Sequence, residues 1–463
     1  MRALFLTGVI SVLATGCSLT AAGGLDECET SADCASDQVC TQQVCLPLPA
    51  GCRAEPYGST EADAIRMGGL FPLHISPEPG ASEDESDVQG LNAALLALEE
   101  VNQRTRIALY VCDTGSSKDV AEKQARWLVN DKKVAALLTA GSSQTLAVAD
   151  VALPAGVLTM SYSASSPELT AKPDTNGGPV GLLWRTSPSD AIQGSVIANL
   201  LRSDSRFGAP AKVGILYVDD PYGQGLSNII SEQLSTGATR VANRTFLYQR
   251  GGDVKAVLDS LDMTYDPDVT VLIGFADDAK TILKEAATRN NLKRENGHRW
   301  FFSDSVKDSA VLADALAANQ ARGFYGTAPA QGTGQAFSTF SDRFVTKYQK
   351  NPAAYAYTSN AYDAMYLLAL GASYSLSTTN AVTGVKIAEA LNRVSSGASS
   401  TSTQLTNSNF TGLAAQLASG QSVNIEGASG PLNFDVNGEA RAPVELWQVS
   451  DTGFVTIANN LEP

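Results

Sequence analysis

The chain has 463 residues, 44% of them hydrophobic and 17% charged, enough length and apolar content for two or more packed domains. Its formal net charge of -15 argues against a nucleic-acid-binding surface, which needs a basic footprint.

Residues 1–16 read as an export signal. Arg2 gives a positive start, and the apolar stretch over 3–14 is too short to remain as a spanning helix. It ends in "LATGC", small residues leading to Cys17. This is the pattern of a lipoprotein cleavage site, with Cys17 as the lipidated residue. Ala14, where a larger aliphatic residue is usual, is a mild departure. The competing reading is an ordinary secretory peptide with an incidental cysteine. Lipid on one cysteine anchors a soluble domain without a spanning helix. The expected location is therefore exported and membrane-anchored, facing the periplasm or the cell surface.

Residues 17–27 read as a lipidated tether, and 28–52 as a cysteine-rich module. Export implies an oxidising compartment. With Cys17 set aside, Cys28, Cys34, Cys40, Cys45, Cys52 and Cys112 form an even set suited to disulfides. The stretch "CETSADCASDQVCTQQVC" has almost no large apolar residue, so cross-links must hold it. Zinc is the competing reading. The spacings are wider than C-x-x-C, however, and no histidine is near. Cys52 and Cys112 are left as a pair joining the start of the main domain to its second strand.

From residue 64 the pattern alternates strand and helix. "AIRMGGLF" predicts a strand. Residues 88–104 predict a helix, with Leu91, Leu95, Leu98 and Val101 on one face. The acidic run before it, "SEDESD", reads as a solvated turn. "IALYVCD", "VAALLT" and "GVLTM" predict strands, separated by helices over 120–129 and in "TLAVADVAL". The pattern restarts after "GLLWRTSPSD". Helices are expected at 190–201, at 225–234 and in "AKTILKEAATR", with strands in "KVGILYV", "VTVLIGF" and "HRWFFS". Residues 337–348 and 354–376 read as helices, 395–404 as a polar loop, and the last stretch as strands and turns. Short apolar strands alternating with helices imply parallel sheets covered on both faces.

Chemistry-bearing motifs are sparse. His74 and His298 stand far apart with no metal-spaced neighbour, and read as structural or surface residues. No metal ligand set and no cofactor motif is identified. "YGQGLSN" gives G-x-G-x-x-N after a strand, a poor dinucleotide fingerprint without its third glycine. No nucleophile–base arrangement is apparent, so an enzyme is not expected. Hydroxyl-rich strand ends are the stronger signal, because ligands of open α/β sheets sit beyond the carboxyl ends of strands. "TAGSSQT" carries Ser142 and Ser143 into a helix start, where free N–H groups suit a carboxylate. "SYSASS" offers Ser163, Ala164 and Ser165 after the next strand. Together they form an anion pocket that needs no lysine or arginine. The second α/β unit adds Tyr222 at a strand-to-helix turn, and Asp277 and Asp278 in "GFADDAK". One of these two aspartates is expected to cap the following helix and the other to face a cation. Donors from one unit and an acid from the other describe a zwitterion site.

The motifs "QGLNAALLALEEVN", "GSSQTLAVADVALPAGVLTMSYSASSPELT", "WRTSPSDAIQG", "DDPYGQGL", "YAYTSNAYDAMYLLA" and "GASGPLNFDVNGEA", in that order, resemble periplasmic branched-chain amino-acid-binding proteins. These are the type I solute-binding proteins of ABC transporters. The resemblance covers about 64–458. It implies two parallel-sheet α/β lobes joined by three crossovers: lobe 1 from 62–187 and 327–434, lobe 2 from 188–326 and 435–463. It also implies an α-carboxylate held by Ser142 or Ser143, Ser163, Ala164 and Ser165, with Tyr222 from the second lobe and Asp278 on the α-ammonium. The loop over 71–88, which touches the ligand side chain in the family, is long, acidic and proline-rich here and departs from the pattern. The implied partners are an amino-acid-like small molecule and an ABC-transporter permease or membrane receptor, with no nucleic acid. The alternative is an envelope interaction, structural or sensory lipoprotein that uses the same fold to bind a partner protein.

Overall fold

The computed structural model describes residues 26–29, 33–35, 38–41, 43–175, 178–237, 239–396 and 401–463. The expected export signal, Cys17 and all but the end of the tether lie outside the described residues. The chain forms two compact units, Met1–Pro49 and Ala50–Pro463.

In the first unit, disulfides join Cys28 to Cys40 and Cys34 to Cys45. Strands β1 (Gln38–Thr41) and β2 (Val44–Pro47) pair antiparallel, with Cys40 opposite Cys45. Cys28, Val39 and Cys45 are buried. So small a core explains the dependence on cross-links. The module ends at Pro49 rather than at 52, because the next residues belong to the main unit. There Asp113 donates its N–H to the Gly51 carbonyl, Arg53 donates to Val111, and Cys52 is bonded to Cys112.

Among the described residues the main unit contains two large sheets and a small one. The first has the order β3-β5-β4-β6-β7-β8. Its strands are β3 (Tyr57–Gly58), β4 (Ile65–Phe71), β5 (Ile107–Asp113), β6 (Ala136–Thr139), β7 (Leu158–Ser161) and β8 (Leu183–Arg185). All pairs are parallel except β3 with β5. The second sheet has the order β10-β9-β11-β12-β13-β17-β18. It comprises β9 (Lys212–Val218), β10 (Ala242–Tyr248), β11 (Val269–Ile273), β12 (Arg299–Phe302), β13 (Tyr325–Pro329), β17 (Val444–Val449) and β18 (Phe454–Leu461). Its last two strands run antiparallel. A small third sheet holds β14 (Thr403–Gln404), β15 (Ile425–Gly427) and β16 (Gly430–Pro431). Each large sheet has its own apolar core. Near-continuous runs such as "VTVLI", buried at every position, are what a parallel strand covered on both faces requires.

The two-lobed α/β fold expected from the sequence is therefore present. Among the described residues the chain passes between the two sheets three times. The first crossing follows Arg185. The second follows Pro329, so the expected return at 327 falls inside β13. The third runs through 435–443. The first and third crossings are paired, with Arg185 donating its N–H to Gly438 and Ala440 donating to Arg185.

The helix expected at 88–104 runs Glu85–Val101. Asp84 caps it through its side chain, which accepts from the Asp87 amide at 3.4 Å. "SEDESD" is thus a helix start and not a solvated turn. The helix expected at 354–376 runs Thr358–Thr379, because Tyr357 at its N-cap takes φ +64° and breaks the path from the preceding turn.

Candidate functional site

The carboxyl ends of the central strands of both sheets converge on one cavity, with about 690 Å³ of unfilled space counting its mouth. From the first lobe it is lined by Asp84, Ser86, Asp87, the Gly141–Ser142 helix start, Tyr162 and Ser163, among others. From the second come Tyr222, Arg250, Phe275, Ser305 and Asp308. This is the strand-end position where open α/β sheets bind ligands.

One end is a donor end. The helix Ser142–Ala152 begins after Gly141, which has φ +70° and no side chain to cap it. A Cβ there would stand 2.4 Å from Gln144 Oε1, so only glycine allows that side chain to fold over the helix start. The first intrahelical bond is donated by Thr145 to the Gly141 carbonyl. The amides of 142–144 therefore lack helical acceptors, as at any helix start. Ser163 Oγ accepts from the Gly141 amide at 3.0 Å, and Ser142 Oγ from the Ser166 amide at 3.1 Å. These serines lock two strand-end loops together.

The other features are charged. Asp84 and Arg250, one from each lobe, pair at 3.2 Å, and the Arg250 guanidinium stacks 3.8 Å over the Phe275 ring. Asp87 accepts from the Tyr162 hydroxyl at 2.5 Å. Gly90, one turn along the helix from Asp87, makes this possible: a Cβ there would meet the Tyr162 hydroxyl at 2.7 Å. Asp308 accepts from Ser86 across the lobes at 2.7 Å and from the Ala310 amide at 2.7 Å. Burial pushes the Asp84 carboxyl up to about 6, and Asp308 adds to the rise while Arg250 opposes it. Burial, then the Asp84 charge, holds Asp87 well above the usual carboxylate range. Burial also raises Asp308.

Of the residues singled out from sequence, Ser142, Ser163, Ser165 and Tyr222 line the cavity. The Tyr222 hydroxyl is taken by Ser303 and Asp304, each at 2.8 Å, so its ring forms the wall and packs on Phe275. Ser143 instead faces an open depression beside Ser76, Ser116 and Asp219. Ala164 is fully buried. Its N–H is given to Ser161, and its carbonyl accepts from Arg185 and Ser187.

Asp278 does not reach the cavity. The helix there begins at Ala276, which places Asp278 in its first turn and turns the carboxylate onto the Gly251 amide, 2.8 Å away. It braces the turn that carries Arg250. Asp277 pairs with Lys280 at 2.7 Å, and neither aspartate caps the helix. The pocket also contains an arginine, contrary to the reading that it would need none. Sequence reasoning missed Asp84, Asp87, Arg250 and Asp308. For the first two a signal existed, since acids immediately before a helical period mark an N-terminus.

Residues 89–452 match the family described as receptor family ligand binding region. The chain belongs to that family. Among curated relatives of this ligand-binding region is the chemotactic signal transduction system substrate-binding protein BasB of Halobacterium salinarum. It is 26% identical over 402 residues, spanning 85% of this chain and 88% of the relative. The fold is similar to that of the leucine-binding protein LivK of Thermotoga maritima, with TM-score 0.67, 19% identity, and 86% of this chain and 99% of that one covered. LivJ of Streptococcus pneumoniae, solved with isoleucine, gives TM-score 0.64 and 21% identity, covering 87% and 100%. A solute-binding protein of R. palustris solved with benzoate gives 0.62 and 16%, covering 86% and 97%. As a ligand-binding region, the fold has its cavity where two lobes meet.

Proposed function

We propose that the chain is an exported, lipid-anchored solute-binding protein that captures an amino acid or similar small zwitterion between its lobes for uptake by an ABC transporter. One observation carries this reading: one interlobe cavity holds uncapped helix amides for a carboxylate and buried aspartates for an ammonium group. Such a site works by closure, without covalent chemistry. A ligand that bridges both lobes shifts an open–closed equilibrium toward the closed form. The leucine, isoleucine and benzoate named for the structural neighbours all carry a carboxylate, which fits the donor end.

A thermal-shift screen against amino acids, amides and carboxylates tests the reading. A ligand at a hundred times its dissociation constant stabilises by about 2.7 kcal/mol. A folded protein that shifts with none of them would sink it.

The BasB relationship favours a second reading in which the same capture feeds a membrane receptor. Deleting the gene distinguishes the two: loss of labelled-ligand uptake marks transport, and loss of ligand-directed swimming marks sensing. Lipidation is tested by Cys17→Ser, which releases an anchored protein from the membrane fraction.

A further inference from the structure

The proposed function leaves the ligand class open, and the charges of the cavity narrow it. Three carboxylates, Asp84, Asp87 and Asp308, line it with Arg250. Arg250 is already paired with Asp84 and stacked on Phe275. Asp87 and Asp308 receive only neutral donors, the hydroxyls of Tyr162 and Ser86 and the Ala310 amide. Lys307, the residue before Asp308, is turned away and buried against Glu445. Lys350 reaches Glu85, not the cavity.

A second, independent feature also points to a ligand. Gln144 is 5% exposed and lines the cavity, and among the described residues its side-chain amide has no hydrogen-bond partner. Its amide atoms keep some accessible surface, so a ligand's polar group can meet them. Buried carboxylates that repel one another are relieved by a cation placed among them.

Arg250 offsets one of the three carboxylates and a ligand's α-ammonium group a second; we infer that the third takes a further positive charge, so that the ligand is a basic amino acid or diamine and not one with an aliphatic or acidic side chain. This rests on the solute-binding reading above and specifies its substrate class. The 142–144 amides remain for the ligand's carboxylate where it has one.

Calorimetric titration of the full chain with L-lysine, L-arginine, 1,4-diaminobutane, L-leucine and L-glutamate tests it. Lysine, arginine or diaminobutane is expected to bind at least tenfold more tightly than leucine or glutamate, one lost charge contact being worth that much. Asp87→Asn keeps an acceptor for Tyr162, and Asp308→Asn one for Ser86. Each is expected to weaken the basic probe by about thirtyfold or more while circular dichroism stays unchanged. Preference for leucine or glutamate overturns the inference and leaves the solute-binding reading standing. So does unchanged binding of the basic probe in both folded variants. Absence of binding by every probe overturns both together.

Discussion

Arg185 and Glu439 meet at 2.7 Å and tie the first interlobe crossing to the third. Arg185 is 2% exposed at its side chain and also donates to the carbonyls of Ala164 and Ser166 and to Thr170. One guanidinium therefore holds both the hinge and the loop that carries Ser163 and Ser165. Removing one partner leaves a buried charge unpaired. Arg185→Met is expected to cost about 3–5 kcal/mol in urea unfolding. Glu439→Gln keeps a hydrogen-bond acceptor and should cost less.

Asp84 gives a pH dependence of definite sign. Its folded pKa, about 6, lies above the ordinary value of 3.8. The folded state therefore holds this proton more tightly than the unfolded one. Its contribution to stability is full below about 4 and is lost as pH rises through about 6. Asp84→Asn preserves the N-cap and removes the titration. Between pH 4 and pH 7 the wild type should lose about 2–3 kcal/mol relative to this variant, read from paired denaturation curves.

Tyr357 belongs to the first-lobe core, yet its hydroxyl donates to Asp304 of the second lobe at 2.8 Å. Tyr357 takes φ +64° at the N-cap of the helix Thr358–Thr379. Tyr357→Phe removes a charge-assisted latch worth about 1.5–3 kcal/mol. The ligand-free variant should populate the open form more, seen as a larger radius of gyration in small-angle scattering. An unchanged radius in the folded variant would show that this bond does not hold the lobes.

The Cys52–Cys112 bond closes a loop with a sequence separation of 60. On chain-entropy grounds, Cys52→Ser with Cys112→Ser should lower stability by about 4 kcal/mol. The loss should appear first as faster amide exchange in β5 and at Arg53, whose N–H bonds Val111.

The lobes and the cavity wall made by Ser142, Ser163 and Tyr222 were readable because strand periodicity and strand-end hydroxyls are local signals. The charged part of the site was not. Asp84 and Asp87 look like surface acid in sequence. They become cavity residues because the preceding loop is pinned, with Leu73 donating to Asp113 Oδ1 and Asp84 to the Leu73 carbonyl. Arg250 sits in a Gly-rich turn with no basic motif around it, and reaches the cavity only through the second lobe's packing. Asp278 shows the converse error. Its sequence position is plausible, but a helix beginning two residues earlier rotates it onto Gly251.

The second sheet is finished by β17, which lies beside β13 although the entire returning part of the first lobe separates them in sequence. A nascent chain that stops short of residue 444 presents β13 with an open edge. It also leaves Lys307, 3% exposed at its side chain in the finished fold, without Glu445. The second lobe's sheet is therefore complete only when residues 444–461 are in place. Its two parts, far apart in sequence, must come and go as one cooperative unit, so local opening of β17 exposes the β13 edge and breaks the Lys307–Glu445 pair together.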